Sequence, residues 1–348
     1  MDLARLAERV WYGDDVAAGV ARAALAPLSM LFRAGVATRG ALYDRGLSAT
    51  HALPLPAISV GNLTVGGTGK TPVAAWIART LRERGARPAI VLRGVGDDES
   101  RVHALLNPDV PVVVAPDRVA GTEQARALGA DVVVLDDAFQ HRRAARTVDL
   151  VLLAAERGLR HARLLPAGPY REGLDALGRA SVVVVTRKST SRAEADALLA
   201  ALAARAPGAG HALVHLAPHE LRAWEDHAGT AERGGAADVT ALAGARVLAV
   251  SGIGDPRAFE SQLRAAGAEV VTAAFADHHA YTAADVDTLV ARARAVDRVV
   301  CTLKDAVKLG PLWPRGAPTL WYVSQRVTVE RGERVLEDSL GRLLAART

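Results

Sequence analysis

The sequence predicts an α/β protein built on a mainly parallel sheet with helices on both faces. Two observations lead there. Short unbroken runs of Val, Ile and Leu alternate with Ala-, Arg- and Glu-rich stretches of helical length. Strands covered on both faces read as such continuous apolar runs. One run also leads straight into a glycine-rich turn ending Gly69-Lys70-Thr71, the order strand, phosphate loop, helix. At 348 residues the chain is long enough for two domains.

Residues 16–38 carry only Arg22 and Arg33 as charges. Leu25, Leu28, Leu31 and Phe32 fall on one helical face, and Pro27 is expected to kink or divide the helix. Such a helix either packs on the domain or lies in a lipid headgroup layer. From Ala57 onward the expected strands are Ala57–Val60, Ala89–Leu92, Val110–Val114, Val132–Leu135, Leu150–Leu153 and Val182–Thr186. The expected helices are Thr71–Arg84, Arg118–Leu128 and Arg192–Ala204. A second set of strands follows at His211–Leu216, Val247–Ser251, Val270–Ala274, Val299–Thr302 and Thr319–Val323, with helices near Pro256–Ala266 and Ala283–Ala295. The stretches Ala204–Gly210 and Glu225–Asp238 read as polar or Gly-rich spacers between the sets. The division is placed at 1–210 and 211–348.

Composition narrows the function. Half the residues are hydrophobic and 23% are charged, which excludes a disordered or collagen-like chain. The single cysteine, Cys301, excludes a disulfide framework and a Cys-rich zinc site. No uncharged apolar run reaches the roughly 18–20 residues that span a bilayer, so the chain reads as soluble or bound at a membrane surface. Net charge is +5, and the 43 basic residues include only four lysines, Lys70, Lys188, Lys304 and Lys308, leaving 39 arginines. Arginine in that proportion reflects coding bias and says little about nucleic acid. No basic stretch carries the aromatics that stack bases, so no nucleic-acid partner is expected, nor is an obligate protein partner evident. The few lysines mark positions where an ammonium group is needed.

The loop from Gly61 to Thr71 carries the chemistry. Gly66, Gly67 and Gly69 let backbone N–H groups turn inward around phosphate oxygens, with Thr68 between them, and the following helix adds its positive N-terminus. Lys70 is expected to reach the terminal phosphates of a nucleotide and the Thr71 hydroxyl to ligate Mg²⁺. Thr64 stands where the usual pattern has its first glycine. An ordinary glycine turn is the competing reading, and the strand–loop–helix context disfavours it. Downstream, the hydrophobic strand Val132–Leu135 ends in Asp136 and Asp137, placed to hold Mg²⁺ directly or through water. Gln140 and His141 follow and are placed to line the same cleft.

These residues resemble a known family. Val60-Gly-Asn-Leu-Thr-Val-Gly-Gly-Thr-Gly-Lys-Thr-Pro72 with Leu135-Asp-Asp-Ala-Phe-Gln-His-Arg-Arg143 is similar to the tetraacyldisaccharide 4'-kinases, which act in lipid A synthesis. Trp11-Tyr-Gly13, Ala115-Pro-Asp-Arg-Val-Ala-Gly121, Leu164-Leu-Pro-Ala-Gly-Pro-Tyr-Arg-Glu172, Ser251-Gly-Ile-Gly-Asp-Pro256, Asp277-His-His-Ala-Tyr-Thr282 and Thr302-Leu-Lys-Asp-Ala-Val-Lys-Leu309 extend the resemblance in order across nearly the whole chain.

The resemblance implies two α/β/α sandwich domains, the first P-loop-NTPase-like, joined by a two-stranded linker with ATP in the cleft between them. It implies transfer of the γ-phosphate of ATP to the 4'-hydroxyl of tetraacyldisaccharide 1-phosphate, giving lipid IVA, at the cytoplasmic face of the inner membrane of a Gram-negative bacterium. The N-terminal helical region would face the membrane and the lipid's acyl chains. By motif, the general base falls on Asp98, with Asp97 as the alternative, and its histidine partner on His278, with His279 as the less favoured neighbour. Glu99 completes the acidic pair. Arg118, Arg171 and Glu172 fall on positions expected to meet substrate or phosphate, together with Gln140 and His141.

Two departures stand out. Val95 replaces a tyrosine of the family pattern, and Leu303 an acid. A competing reading is a ParA/MinD-like regulatory ATPase at a membrane, whose deviant loop resembles Gly66–Thr71. That group carries a lysine where this chain has Val65.

Overall fold

A computed structural model describes residues 3–94, 98–159, 162–227 and 230–347. Two helices, α1 (Leu3–Tyr12) and α2 (Val16–Asp44), precede the sheet. Asp15 caps α2 by accepting from the Ala18 amide. Pro27 lies inside α2 without dividing it, so the expected break is not there; one 29-residue helix runs through. It is long and apolar enough to cross a membrane by length and composition, and Ala18 is the buried residue on it. Val16, Val20, Leu28, Met30 and Leu31 are largely exposed.

The first part of the sheet comprises β1 (Ala57–Asn62), β2 (Pro88–Leu92), β3 (Val112–Val114), β4 (Val132–Asp136), β5 (Val148–Ala154) and β6 (Val182–Arg187). All pair in parallel, in the order β6-β5-β1-β4-β2-β3. Helices α3 (Lys70–Glu83), α4 (Asp98–Leu106), α5 (Arg118–Ala127) and α6 (Arg192–Arg205) connect them or follow. Apart from the edge strand β3, where Val114 is exposed, the strands are buried along nearly their whole length. Val73, Ala74, Ile77 and Leu81 of α3 pack with Ile58, Val60, Val134 and Leu150 on one face. Leu199 and Leu202 of α6 pack with Val151, Val183 and Val185 on the other.

The second part holds β9 (Arg246–Ser251), β10 (Glu269–Ala274) and β11 (Arg298–Thr302), again parallel, with α7 (Pro256–Ala265), α8 (Ala283–Ala293) and α9 (Leu303–Leu309). Two long strands join the parts. β7 (Gly210–His227) runs parallel to β6 at its start and antiparallel to β12 (Leu320–Arg331) beyond it, while β12 pairs in parallel with β11. The register slips between Val323 and Gln325, opposite Pro218, which has no N–H to give. At that slip the Ser324 hydroxyl accepts from the Glu220 amide (3.1 Å). The division at 210/211 thus falls at the first residues of β7. The whole forms a 12-stranded sheet.

Three expectations change. Glu225–Asp238, read as a spacer, includes the end of β7 and most of β8 (Thr230–Asp238), which pairs antiparallel with β7. α4 and the C-terminal α10 (Glu333–Ala345) were not expected as helices. Leu336, Leu340 and Leu343 of α10 close the face occupied by α3.

Candidate active site

The phosphate loop leaves β1 at its C-terminal end, where ligands gather on a parallel sheet. Gly66 and Gly69 adopt φ of +105° and +83°. At Gly69 a Cβ would also lie 2.3 Å from Leu216 Cδ1, so geometry and space both require glycine there. The loop is braced from inside: Asn62 donates to the Thr68 hydroxyl (2.9 Å) and Thr186 to the Thr68 carbonyl (2.8 Å). Lys70 and Thr71 open α3, with Gly69 at its N-cap.

Two acids meet this loop from β4. Asp137 has a left-handed φ of 50°. It receives Arg171 Nη1 at 3.0 Å on both oxygens and lies 3.8 Å from Lys70 Nζ. Burial alone would raise its pKa, but Lys70 and Arg171 hold it below the ordinary carboxylate value. Asp136 is buried, and its Oδ2 lies 2.8 Å from Nε2 of His103, a fully buried residue of α4. Asp136 Oδ1 is buried without a hydrogen-bond partner in the structure, as is His103 Nδ1. His103 is not among the residues the sequence marks, because a lone histidine in a short helix without apolar periodicity carries no signal.

Asp98 begins α4 and is almost fully buried. Its Oδ2 lies 3.3 Å from Nδ1 of His278, which comes from the second part of the sheet. Lys304 and Lys308 of α9 stand 3.9 and 3.8 Å from the same oxygen. Burial would raise the Asp98 pKa; the His278 contact and the two ammonium groups outweigh it and hold the pKa low. Lys304 Nζ is 2.9 Å from His278 Nε2. An ammonium has only protons to offer, so Nε2 presents its lone pair and the ring proton sits on Nδ1, the nitrogen nearer Asp98; the approach is close but not aligned as a hydrogen bond, and Asp98 Oδ2 is buried without a hydrogen-bond partner. His278 has a φ of 58°, and its amide donates to Gly252 O and to the Asp277 carboxylate. His279 turns away, stacking on Phe275 and contacting Asp285 (3.1 Å). Thr282 caps α8 in a capping box with Asp285. Glu99, next to Asp98, has a raised pKa through burial and the nearby Asp136. Asp97 and Val95 lie outside the described residues.

The other sequence-singled residues serve the frame around the cleft. The Arg118 guanidinium is buried and donates to the carbonyls of Ala115 and Asp136 (2.9 and 3.0 Å). Gln140 donates to Asn62 O and its carbonyl accepts from Arg39 of α2. Glu172 is buried and paired with Arg179. His141 is 4.0 Å from Asp117, and burial beside Arg118 lowers its pKa. Leu303 packs against the apolar core of the second part rather than facing a charge. The segment 164–172 ties α2 to the loop: Ser29 donates to Leu164 O, while Val65 N and Arg171 N exchange bonds with Pro169 O and Leu63 O.

Across the cleft, Gly254 presses on the phosphate loop. A Cβ there would lie 3.0 Å from Gly66 Cα and from Gly67 N. A lysine-bearing phosphate loop and a carboxylate–histidine pair are therefore brought together from both parts of the chain. That arrangement suits phosphoryl transfer to a hydroxyl.

Comparison with known proteins agrees. The chain matches the family described as Tetraacyldisaccharide-1-P 4'-kinase over residues 21–109 and 95–345. It is 41% identical to the tetraacyldisaccharide 4'-kinase of Anaeromyxobacter sp. (strain Fw109-5), over 97% of this chain and 96% of that protein. It is 35% identical to the protein of the same name from Syntrophus aciditrophicus, over 87% and 88%. The crystal structure of LpxK from Aquifex aeolicus in complex with ATP superimposes with a TM-score of 0.69 at 28% identity, covering 92% of this chain and 99% of that one.

Proposed function

The chain belongs to the tetraacyldisaccharide-1-P 4'-kinase family, and on that footing we propose that it phosphorylates the 4'-hydroxyl of tetraacyldisaccharide 1-phosphate from ATP in lipid A synthesis. The observation that carries the mechanism is the 3.3 Å approach of His278 to Asp98 beside the phosphate loop. Lys70 and the loop amides bind the triphosphate. The 4'-oxygen attacks the γ-phosphorus; the new O–P bond forms as the bond to the β,γ-bridging oxygen breaks, and ADP leaves. The hydroxyl proton passes to the Asp98 carboxylate. A low-pKa carboxylate suffices, because the loose transition state releases that proton late. His278, with its proton on Nδ1, orients Asp98.

Mg²⁺ fits the residues present. Asp136 Oδ1 is a buried oxygen without a partner, and Thr71 and Asp136 offer the hard oxygen donors that Mg²⁺ takes. Both of Asp137's oxygens are engaged by Arg171, so it is assigned to the metal's outer surroundings. Bound there, the ion would neutralise phosphate charge. Arg171 is a candidate for the substrate's phosphate; Arg118, Gln140, His141 and Glu172 are assigned to holding the cleft's shape. The exposed apolar side chains of α2 support residence at a membrane surface; the assignment of that surface to the cytoplasmic face of the inner membrane of a Gram-negative bacterium rests on the family resemblance alone. Family membership disfavours the ParA/MinD-like reading.

The test is label transfer from [γ-³²P]ATP to tetraacyldisaccharide 1-phosphate in detergent micelles. Labelled lipid, strongly reduced in Lys70→Ala and Asp98→Ala, is the expected result. ATP hydrolysis without labelled lipid would sink the lipid-kinase reading. Label that survives Asp98→Ala would move the base.

A further inference from the structure

All four lysines of this arginine-rich chain converge on the cleft, and three have carboxylates beside them. Lys70 faces Asp137, Lys304 faces Asp98 and Asp277, and Lys308 faces Asp98 and Asp305. Lys188 differs. Its Nζ donates to a neutral acceptor, Gly67 O, at 2.7 Å, and among the described residues no carboxylate oxygen lies within ion-pair distance of it.

Its placement is deliberate in structure. Thr186 lies near the end of β6 and Lys188 just beyond it, and both side chains reach the phosphate loop. Thr186 holds Thr68 O and Lys188 holds Gly67 O, successive carbonyls of the phosphate loop. The Lys188 backbone is fixed: Glu156 Oε1 accepts from the amides of Lys188, Ser189 and Thr190 (2.6, 3.0 and 3.3 Å), and Gln262 reaches its carbonyl. A hydroxyl is enough to brace a carbonyl, as Thr186 shows. An ammonium has two further N–H donors and a full charge, and it sits at the glycines of a loop built for anions. Related loops that carry a second lysine have it at the position of Val65; here the second ammonium arrives from β6 instead.

We propose that Lys188 is a second ammonium ligand of the terminal phosphates of the bound nucleoside triphosphate, moving from Gly67 O onto a γ-phosphoryl oxygen. This rests on the kinase reading above and adds a residue to it. Lys188 reaches the loop at Gly67 and Lys70 opens the helix that follows it, so in this proposal the γ-phosphoryl group is held by two ammonium groups, with charge spread over its equatorial oxygens neutralised by both. The diphosphate product lacks that group, so Lys188 distinguishes ATP from ADP.

The test measures equilibrium binding of ADP and of a β,γ-imido ATP analogue, each with Mg²⁺, to wild type, Lys188→Met and Thr186→Val. Loss of a charge-assisted contact predicts at least about a tenfold weaker analogue affinity in Lys188→Met, with ADP affinity changed less than about twofold. Thr186→Val, a pure loss of bracing, is expected to weaken both nucleotides alike. Equal weakening of both nucleotides in Lys188→Met would reduce Lys188 to a brace and overturn the proposal. No change in either would also overturn it. If wild type binds neither nucleotide, the kinase reading fails first and takes the proposal with it; tight wild-type binding with an unaffected Lys188→Met removes the proposal alone.

Discussion

His103 Nε2 lies 2.8 Å from Asp136 Oδ2, and both side chains are buried. A carboxylate so placed keeps one oxygen bound and the other, Oδ1, buried without a partner. His103→Leu removes the bound partner and leaves both oxygens orphaned. A hydrogen bond to a charged group contributes about 1.5–3 kcal/mol, so denaturant unfolding should show a loss of that size. The Mg²⁺ concentration giving half-maximal activity should rise with it. An unchanged Mg²⁺ requirement would mean that Asp136 is held by its strand alone.

Asp98→Asn keeps shape and removes the proton acceptor. General-base contributions run to roughly 10²–10⁴ in rate, so kcat should fall by that order while ATP-analogue affinity changes little. Equal loss of nucleotide affinity would show that Asp98 serves binding instead.

The Asp98 carboxyl is held below its ordinary 3.8 by His278, Lys304 and Lys308 against the opposing effect of burial. A carboxylate with a depressed folded pKa stabilises the fold at pH above its unfolded value, and that contribution is lost as pH falls through the folded value. Removing a cation raises the folded pKa. Lys304→Met should therefore move the acid limb of kcat/KM, and the acid-unfolding midpoint, to higher pH. A shift to lower pH would contradict the arrangement.

Gly254→Ala places a methyl 3.0 Å from the backbone of Gly66 and Gly67. Neither side can yield by rotating a side chain, so the two parts must separate locally. The expected outcome is a raised KM for ATP with thermal stability changed little, measured by kinetics and calorimetry together.

Met30 and Leu31 are 72% and 70% exposed. Met30→Glu with Leu31→Glu should leave unfolding within about 0.5 kcal/mol of wild type, as for other surface changes. Sedimentation with anionic vesicles should show a marked loss of binding. Retained binding would place the membrane contact elsewhere.

Much of this was legible in the chain because the signals are local. The runs at Ala57, Val132 and Val182 are strands since they are continuously apolar, and Gly69-Lys70-Thr71 sits where a strand becomes a helix. The Asp98–His278 approach spans 180 positions of sequence and was reachable only through the family resemblance. Other elements hid for physical reasons. α4 is a nine-residue helix whose buried face includes Asp98 and His103, so its period is broken by polar groups. β8 has one β-branched residue, Thr230, beside two adjacent glycines, and is paired by its neighbour β7. Pro27 does not divide α2, and with Ala18 the buried residue on that helix, packing does not account for it.

The ribbon of β7 and β12 gives the cleft a mechanical character. Backbone bonds run across it on both sides of the slip at Ser324, so the two parts are joined by a torsion element rather than a swivel. Two-stranded ribbons carry more twist than wider sheets, and the stretch paired in that way alone, Leu216 to Pro218 against Gln325 to Val327, is where the two parts would turn. Gly254 and Gly66 would then part and return along one path. Stiffening the ribbon would then change turnover without touching a single residue of the cleft.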